Sequence, residues 1–311
     1  NVKKIGIQCE ILDGTQSLDS LASYPESDLV VAAIVGAAGL SSTFAAAKAG
    51  KKILLANKES LVMSGRLLLK EIKQNNGLLL PVDSEHNAIF QCLPANKIDR
   101  DKIKKIVLTG SGGPFLNYAK NKLDLVSVEQ ACKHPNWKMG KKISVDSATL
   151  MNKGLELIEA HYLFDIPEDR IDVVIHPESI IHSLVEYKDG SMIAQLSNPD
   201  MKIPINYALN YPLHSKLDLP SLDLSKISKL TFENPDFDKF RCIKLAYDSM
   251  ESGGTSTSVL NIANDISVGL FLNKKISFID IPEIIELCIE KHDYITNPSL
   301  EDILGQIDWV K

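Results

Sequence analysis

Cysteine is scarce in this chain and has no pattern. Cys9, Cys92, Cys132, Cys242 and Cys288 stand far apart, odd in number, with no C-x-x-C pair. That spacing argues against a zinc site or a disulfide framework and fits reduced, buried thiols in a cytosol-like compartment. Long apolar runs are also missing. The longest, Leu29 to Leu40, carries two glycines and falls well short of the ~20 residues that span a bilayer. No apolar core follows Asn1-Val2-Lys3-Lys4, so a signal peptide is not expected there. Nor is there an excess of positive charge: the formal net charge is -6, which argues against nucleic acid as the main partner. Local basic groups can still hold a small phosphate. The start, without Met and directly on a strand-like stretch, is that expected of a shortened chain.

What is present is an ordinary globular composition, 44% hydrophobic and 24% charged over 311 residues, enough for two or three domains. The first third alternates short apolar runs with helical patterns, the mark of βαβ units on a parallel sheet. Strands are expected at Leu29–Val35, Ile53–Ala56 and Leu78–Val82, with a helix capped by Ser41 or Ser42 and another from Glu59 to Asn75. Ile106–Leu108 reads as a further strand, and Ala148–Phe164 as one long helix. Val173–His176 is a strand, and Ile181–Leu196 a hairpin around Asp189-Gly190. Residues 199–238 read as a connecting segment. The remainder is helical at Phe240–Met250, Ser256–Leu272 and Ile281–Ile289.

Five segments carry residues suited to chemistry. Pro81-Val82-Asp83-Ser84-Glu85-His86 ends a strand of the parallel sheet, where ligands of such sheets bind. Two carboxylates one residue apart can face one hard cation such as Mg²⁺ or Mn²⁺; alone, Asp83 serves equally as a helix cap. In Ser147 to Glu156, helical spacing puts Asn152, Lys153 and Glu156 on one face, a phosphate binder beside a carboxylate or simply a solvated Lys-Glu pair. Thr109-Gly110-Ser111-Gly112-Gly113-Pro114 follows a strand and frees backbone N–H groups for an anion, although it is no Walker loop. His134-Pro135-Asn136-Trp137-Lys138-Met139-Gly140 is either a lid or a loop anchor. Asn57-Lys58-Glu59 joins a strand to a helix, with Glu59 placed favourably in the first turn. His176 and His182 read as structural histidines.

Together these segments resemble one family, 1-deoxy-D-xylulose 5-phosphate reductoisomerase. Residues 31–40 (VAAIVGAAGL), 54–60 (LLANKES), 81–91 (PVDSEHNAIFQ), 109–115 (TGSGGPF), 134–140 (HPNWKMG), 144–156 (SVDSATLMNKGLE) and 175–183 (IHPESIIHS) follow its order along nearly the whole chain. The resemblance implies metal ligands at Asp83, Glu85 and Glu156 for Mn²⁺ or Mg²⁺. It implies phosphate binding by Ser111, Ser147, Asn152 and Lys153 with His134 close by, and substrate contacts from Lys58, Ser84 and Glu156. Lys58, Glu85 and Glu156 would be catalytic, Asn57, Glu59 and Gly140 would line the nicotinamide cofactor, NADPH, and Trp137 would be the lid aromatic. The reaction implied rearranges 1-deoxy-D-xylulose 5-phosphate to an aldehyde and reduces it with NADPH to 2-C-methyl-D-erythritol 4-phosphate, an isoprenoid precursor.

The implied fold is α/β: a remnant of a Rossmann-like parallel-sheet domain (1–82), an α+β catalytic domain (83–210), a linker (211–238) and a C-terminal helical bundle (239–311). The family is a homodimer, and a cytoplasmic, bacterial-type location is expected, with a plastid-type origin left open. The family's glycine-rich G-S-T-G-S-I-G turn for the NADPH pyrophosphate is not found before Leu29, where Asp13-Gly14-Thr15 holds a single glycine. Impaired turnover is the expectation that follows. Two other readings are a non-catalytic sugar-phosphate module, favoured only by the lack of that turn, and a metal-dependent isomerase without reduction.

Overall fold

The computed structural model describes residues 10–94, 100–137 and 139–311. Asn1 to Lys4, Cys9 and Lys138, all of which entered the sequence reading, lie outside them. After α1 (Thr15–Ala22), three strands alternate with two helices: β1 (Leu29–Ala32), α2 (Leu40–Lys48), β2 (Lys52–Leu55), α3 (Lys58–Gln74) and β3 (Leu78–Pro81). The strands pair in parallel in the order β1-β2-β3. Short apolar runs such as Ile53-Leu54-Leu55 are fully covered, as strands of a parallel sheet must be. Their carboxyl ends release Lys58 and, two residues beyond β3, Asp83. The expected cap of α2 differs: Gly36–Gly39 forms a 3₁₀ turn before it, Gly39 stands at the cap, and the Ser41 hydroxyl binds Asp19 at 2.7 Å instead.

Next come α4 (Ser84–Cys92), β4 (Ile103–Gly110) and α5 (Val128–Ala131). The helix expected over Ala148–Phe164 begins three residues later as α7 (Met151–Phe164), and an unexpected helix, α6 (Lys141–Ala148), ends just before it; the two are separated where Leu150 takes the left-handed conformation at φ 59°. A non-glycine there costs about 1 kcal/mol, and no Gly or Pro marks the break in the sequence. Its consequence is geometric: the end of one helix and the start of the next both face one cavity.

A second sheet has the order β5-β4-β6-β7, built from β5 (Ile171–Ile175), β6 (Ile181–Tyr187) and β7 (Met192–Leu196). β6 and β7 form the expected hairpin, and β4 pairs with β5 in parallel and with β6 antiparallel. Within the segment read as a connection lie α8 (Lys202–Asn210) and the short α9 (Leu224–Ile227). Pro204 misleads there, because proline is tolerated in the first turn of a helix. α10 (Arg241–Ser252), α11 (Ser256–Leu272), α12 (Asp280–Lys291) and α13 (Leu300–Val310) complete the chain; α1, α5, α6 and α13 had no counterpart in the reading.

One core gathers Ile106, Leu108, Leu155, Ile158 and Phe164 with Ile243, Leu260 and Ile285, so the second sheet and the C-terminal helices share a single interior. Another packs Leu40, Ile53, Leu61 and Leu68 against Ile262 of α11 and Ile303 of α13. Apolar area leaving water at about 25 cal/mol per Å² is what holds such layers together. α11 therefore touches both cores. The four described cysteines are free, and no described helix is long and apolar enough to cross a membrane.

Candidate active site

The carboxyl ends of β2, β3 and β4 and the α6–α7 junction converge on a cavity of about 290 Å³. Its lining includes Lys58, Asp83, Ser84, Glu85, Ser111, His134, Trp137, Gly140, Ser147, Asn152, Lys153 and Glu156. All the candidate residues therefore meet there except Asn57 and Glu59. Asn57 is buried beside it: its Oδ1 accepts from Ser60 N at 2.7 Å to cap α3, and its Nδ2 donates to Gly36 O at 3.0 Å.

Asp83, Glu85 and Glu156 each offer a carboxylate oxygen, and these lie within 4.8 Å of one another. Although Asp83 stands at the cap position of α4, its side chain makes no capping hydrogen bond. It turns instead to the Lys58 ammonium, so the helix-cap alternative does not describe it. Lys58 Nζ also lies 3.0 Å from Asn152 Oδ1 and 3.2 Å from Glu156 Oε1. Lys153 Nζ is 2.7 Å from Glu85 Oε1 and bonds Glu156 as well. Two ammoniums are thus folded among three carboxylates in a part-buried space.

The two ends of this cluster differ in charge. Burial opposes ionisation of Glu85, but Lys153 and Lys58 outweigh it and hold the carboxyl well below the usual range. Ser84 Oγ donates to it at 2.6 Å. Glu156, which is fully buried, is pushed up to about 7 by burial and by the Glu85 charge, against the pull of the two lysines. Oxygen-only donors in this arrangement fit a hard divalent ion, which would supply the charge the carboxylates lack.

Beneath Glu156 lies a pair that the sequence reading missed. His86 Nε2 is 2.8 Å from the Glu156 carbonyl, so it carries the proton and donates. His86 Nδ1 is then an acceptor and faces Glu159 Oε2 at 3.3 Å. Burial lowers His86 to about 4 and raises Glu159 well above the carboxylate range, so both are neutral. The sequence signal was the i, i+3 spacing of Glu156 and Glu159, which puts the second carboxylate one turn further on.

At the opposite end, Ser111 follows β4. His134 Nδ1 accepts from the backbone N–H groups of Asn136 at 3.1 Å and Trp137 at 3.0 Å. Its Nε2 must then hold the proton and donate to Ser111 Oγ at 3.0 Å. Gly113 N also donates to that oxygen, at 3.2 Å. With both lone pairs engaged, the Ser111 O–H is left to donate outward, the direction an anion needs. Gly113 has φ +67°, and a side chain there would meet Ser147 O at 2.5 Å, so only glycine lets the loop lie on α6. The first turn of α7 brings Asn152, Lys153 and the positive end of the helix dipole to the same space.

Between these ends the wall is apolar, from Trp137, Met139, Ile143 and Ile181, and open space lies over Gly140. The Trp137 ring sits 6.3 Å from that of His182. His182, read as a satisfied structural histidine, lines the cavity with a buried Nε2 that has no hydrogen-bond partner among the described residues. His176 does behave structurally, its Nδ1 being 2.8 Å from Thr231 O and its Nε2 accepting from Ile180 N at 3.1 Å.

Comparison with known proteins agrees along the chain. Residues 1–65 match the family model described as 1-deoxy-D-xylulose 5-phosphate reductoisomerase. Residues 79–164 and 196–311 match models of that enzyme's C-terminal domain. The enzyme of that name from Thermoanaerobacter sp. is 53% identical over 312 residues, covering 100% of this chain and 80% of the relative. That from Clostridium perfringens (strain ATCC 13124) is 53% identical over 304 residues, covering 98% and 79%. A crystal structure of DOX-P reductoisomerase in complex with NADPH, fosmidomycin and magnesium superposes with a TM-score of 0.94 at 50% identity, covering 99% of this chain and 80% of that one. The Zymomonas mobilis enzyme in complex with NADPH gives 0.89 at 45% identity, covering 96% and 76%.

Proposed function

This chain belongs to the 1-deoxy-D-xylulose 5-phosphate reductoisomerase family, and we propose how its cavity carries out that family's reaction. It is an NADPH- and divalent-metal-dependent enzyme that converts 1-deoxy-D-xylulose 5-phosphate to 2-C-methyl-D-erythritol 4-phosphate. The observation that carries the residue assignment is the meeting of the Asp83, Glu85 and Glu156 carboxylates opposite the outward-donating Ser111 hydroxyl, in one cavity.

In this reading Asp83, Glu85 and Glu156 hold Mn²⁺ or Mg²⁺. When bound, the ion polarises adjacent carbonyl and hydroxyl oxygens, and the nicotinamide supplies the hydride. Ser111, Ser147, Asn152 and Lys153 anchor the phosphate, with His134 fixing the Ser111 rotor. That remote anchor orients the carbon skeleton, which is where a large part of the barrier reduction is found. Lys58 sits between carboxylates and substrate, and its ammonium stabilises the charge that develops on oxygen during the carbon shift. Ser84, bonded to Glu85, faces the sugar hydroxyls.

The open space over Gly140, beside Met139 and Ile143, suits a planar nicotinamide. Asn57 and Glu59 contribute from behind that wall. Trp137 covers the cavity as a lid aromatic and excludes water from the reduced carbon. The domain division at 82/83, 210/211 and 238/239 belongs to the same proposal.

A homodimer is proposed as well. β7 is an edge strand among the described residues, and Met192, Ile193 and Leu196 on it are 50%, 47% and 36% exposed. Open apolar edges of this kind are normally covered, and a second copy is the proposed cover. Sedimentation gives twice the mass of the chain if so, and the single mass if not.

The test of the reaction is product analysis with NADPH, Mg²⁺ and substrate. One NADPH oxidised for each 2-C-methyl-D-erythritol 4-phosphate formed, and turnover strongly reduced in Asp83→Asn, supports the reading. Unchanged turnover in Asp83→Asn contradicts it.

A further inference from the structure

Away from the cavity-facing carboxylates lies a second ionic cluster. Lys142 Nζ of α6 sits 3.0 Å from Glu59 Oε1, 2.9 Å from Asp146 Oδ2 and 2.9 Å from Asp265 Oδ1. Those carboxylates belong to the first turn of α3, to α6 itself and to α11. The other oxygen of Asp146 accepts from Asn264 Nδ2 of α11 at 2.9 Å. No other ion pair among the described residues reaches any of the three, so a single ammonium closes a junction of three helices.

The junction stands one residue from the chemistry. Glu59 follows Lys58, and neighbours on a helix point about 100° apart. While Lys58 faces Asp83 and Glu156, Glu59 is therefore directed at α6 and α11. Asn57, the residue before, is fixed by its bonds to Ser60 N and Gly36 O. With both neighbours held, the first turn of α3 cannot rotate about its axis, and the Lys58 ammonium keeps one direction.

We propose that Lys142 is a positioning residue: by holding Glu59 against α6 and α11 it sets the rotation of the first turn of α3 and aims Lys58 into the cavity. This rests on the reading that Lys58 acts on the substrate. The balance of charge makes the device sensitive. Burial would lower Lys142, but Asp146, Asp265 and Glu59 outweigh it and keep the ammonium protonated. Taking it away leaves three carboxylates facing one another without a counter-charge, and Glu59 is the one on the helix that carries Lys58. The C-terminal helix α11 thereby takes part in the geometry of a site to which it contributes no lining residue.

A double-mutant cycle tests this by calorimetric binding of 1-deoxy-D-xylulose 5-phosphate in Mn²⁺, with Lys142→Met, Lys58→Ala and both together. Lys142→Met alone weakens binding about tenfold, a coupling usual within one ionic network, and changes it less than about twofold once Lys58 is already gone. Lys142→Arg restores most of the loss. Glu59→Gln, a milder change that leaves Lys142 paired to Asp146 and Asp265, shows the same dependence on Lys58 at smaller size and serves if Lys142→Met does not fold. An equal loss in both backgrounds, or none in the parent, overturns the positioning role and leaves the reading of Lys58 intact. Unchanged binding in Lys58→Ala instead overturns the substrate role of Lys58, and the positioning role with it.

Discussion

The two ionic clusters use the same residue types and have opposite uses. At the cavity, Lys58 and Lys153 stand among Asp83, Glu85 and Glu156. At the helix junction, Lys142 alone stands among Glu59, Asp146 and Asp265. The first cluster is carried by strand ends and by the start of a helix that follows a strained break. Its groups face open space, where an ammonium can give way to another cation. The second is carried by the flanks of three packed helices, which have nothing to exchange. Density of charge and exposure therefore do not distinguish a site from a brace, since Lys142 and Asp265 are no more buried than Lys58 and Asp83; the elements that carry the groups and the cavity they line do. Buried ion pairs contribute little net stability in general, but removing one partner is costly, and that asymmetry lets the junction act as a brace.

Exchanging equivalent changes between the clusters gives the largest contrast. Asp83→Asn should lower kcat by about 10²–10³, the size of losing one preorganised charge group, and abolish the metal dependence of substrate binding. Asp265→Asn should cost only a few-fold in either, although it too deletes one carboxylate beside a lysine. Equal losses would erase the distinction. Ser111→Ala removes a single outward donor, a loss of about 0.5–1.5 kcal/mol, so it should raise KM by about three- to tenfold with little change in kcat. A change confined to kcat would show that Ser111 does not hold the ground-state phosphate.

The smallest effect is one of pH. Burial, partly offset by Lys142, raises Asp265 to about 6. A folded-state value above the unfolded one means that the folded chain binds more protons in between. The resulting stabilisation is fully present below about 4 and is lost as the pH rises through about 6. The stability of the parent relative to Asp265→Asn, measured by urea unfolding, should therefore fall from pH 4 to pH 6 and stay level above. A flat difference would show that Asp265 is an ordinary carboxylate.

Most of the cavity was legible in the sequence because its donors sit at positions with local rules. Asp83 and Glu85 follow an apolar run that reads as a strand, and Asn152, Lys153 and Glu156 recur at helical spacing. The resemblance then joined segments that periodicity alone left open. The split at Leu150 was not legible, since no breaker residue marks it and only the packed structure forces the left-handed turn. α8 hid behind Pro204. The brace was invisible for a different reason: of its contacts only Lys142 to Asp146 is local, at i, i+4, while Glu59 and Asp265 lie 83 and 123 residues away in sequence by the numbering. Glu59 was singled out for the cofactor, and the structure ties its side chain to Lys142.

The most direct test of the central claim, that Asp83, Glu85 and Glu156 form the metal site beside the phosphate anchor, is titration calorimetry of 1-deoxy-D-xylulose 5-phosphate with and without Mn²⁺, using the parent chain and Glu156→Gln. Binding that requires Mn²⁺ in the parent and is lost in the variant is the predicted result. Binding of equal strength without the ion, or unchanged in Glu156→Gln, would contradict it.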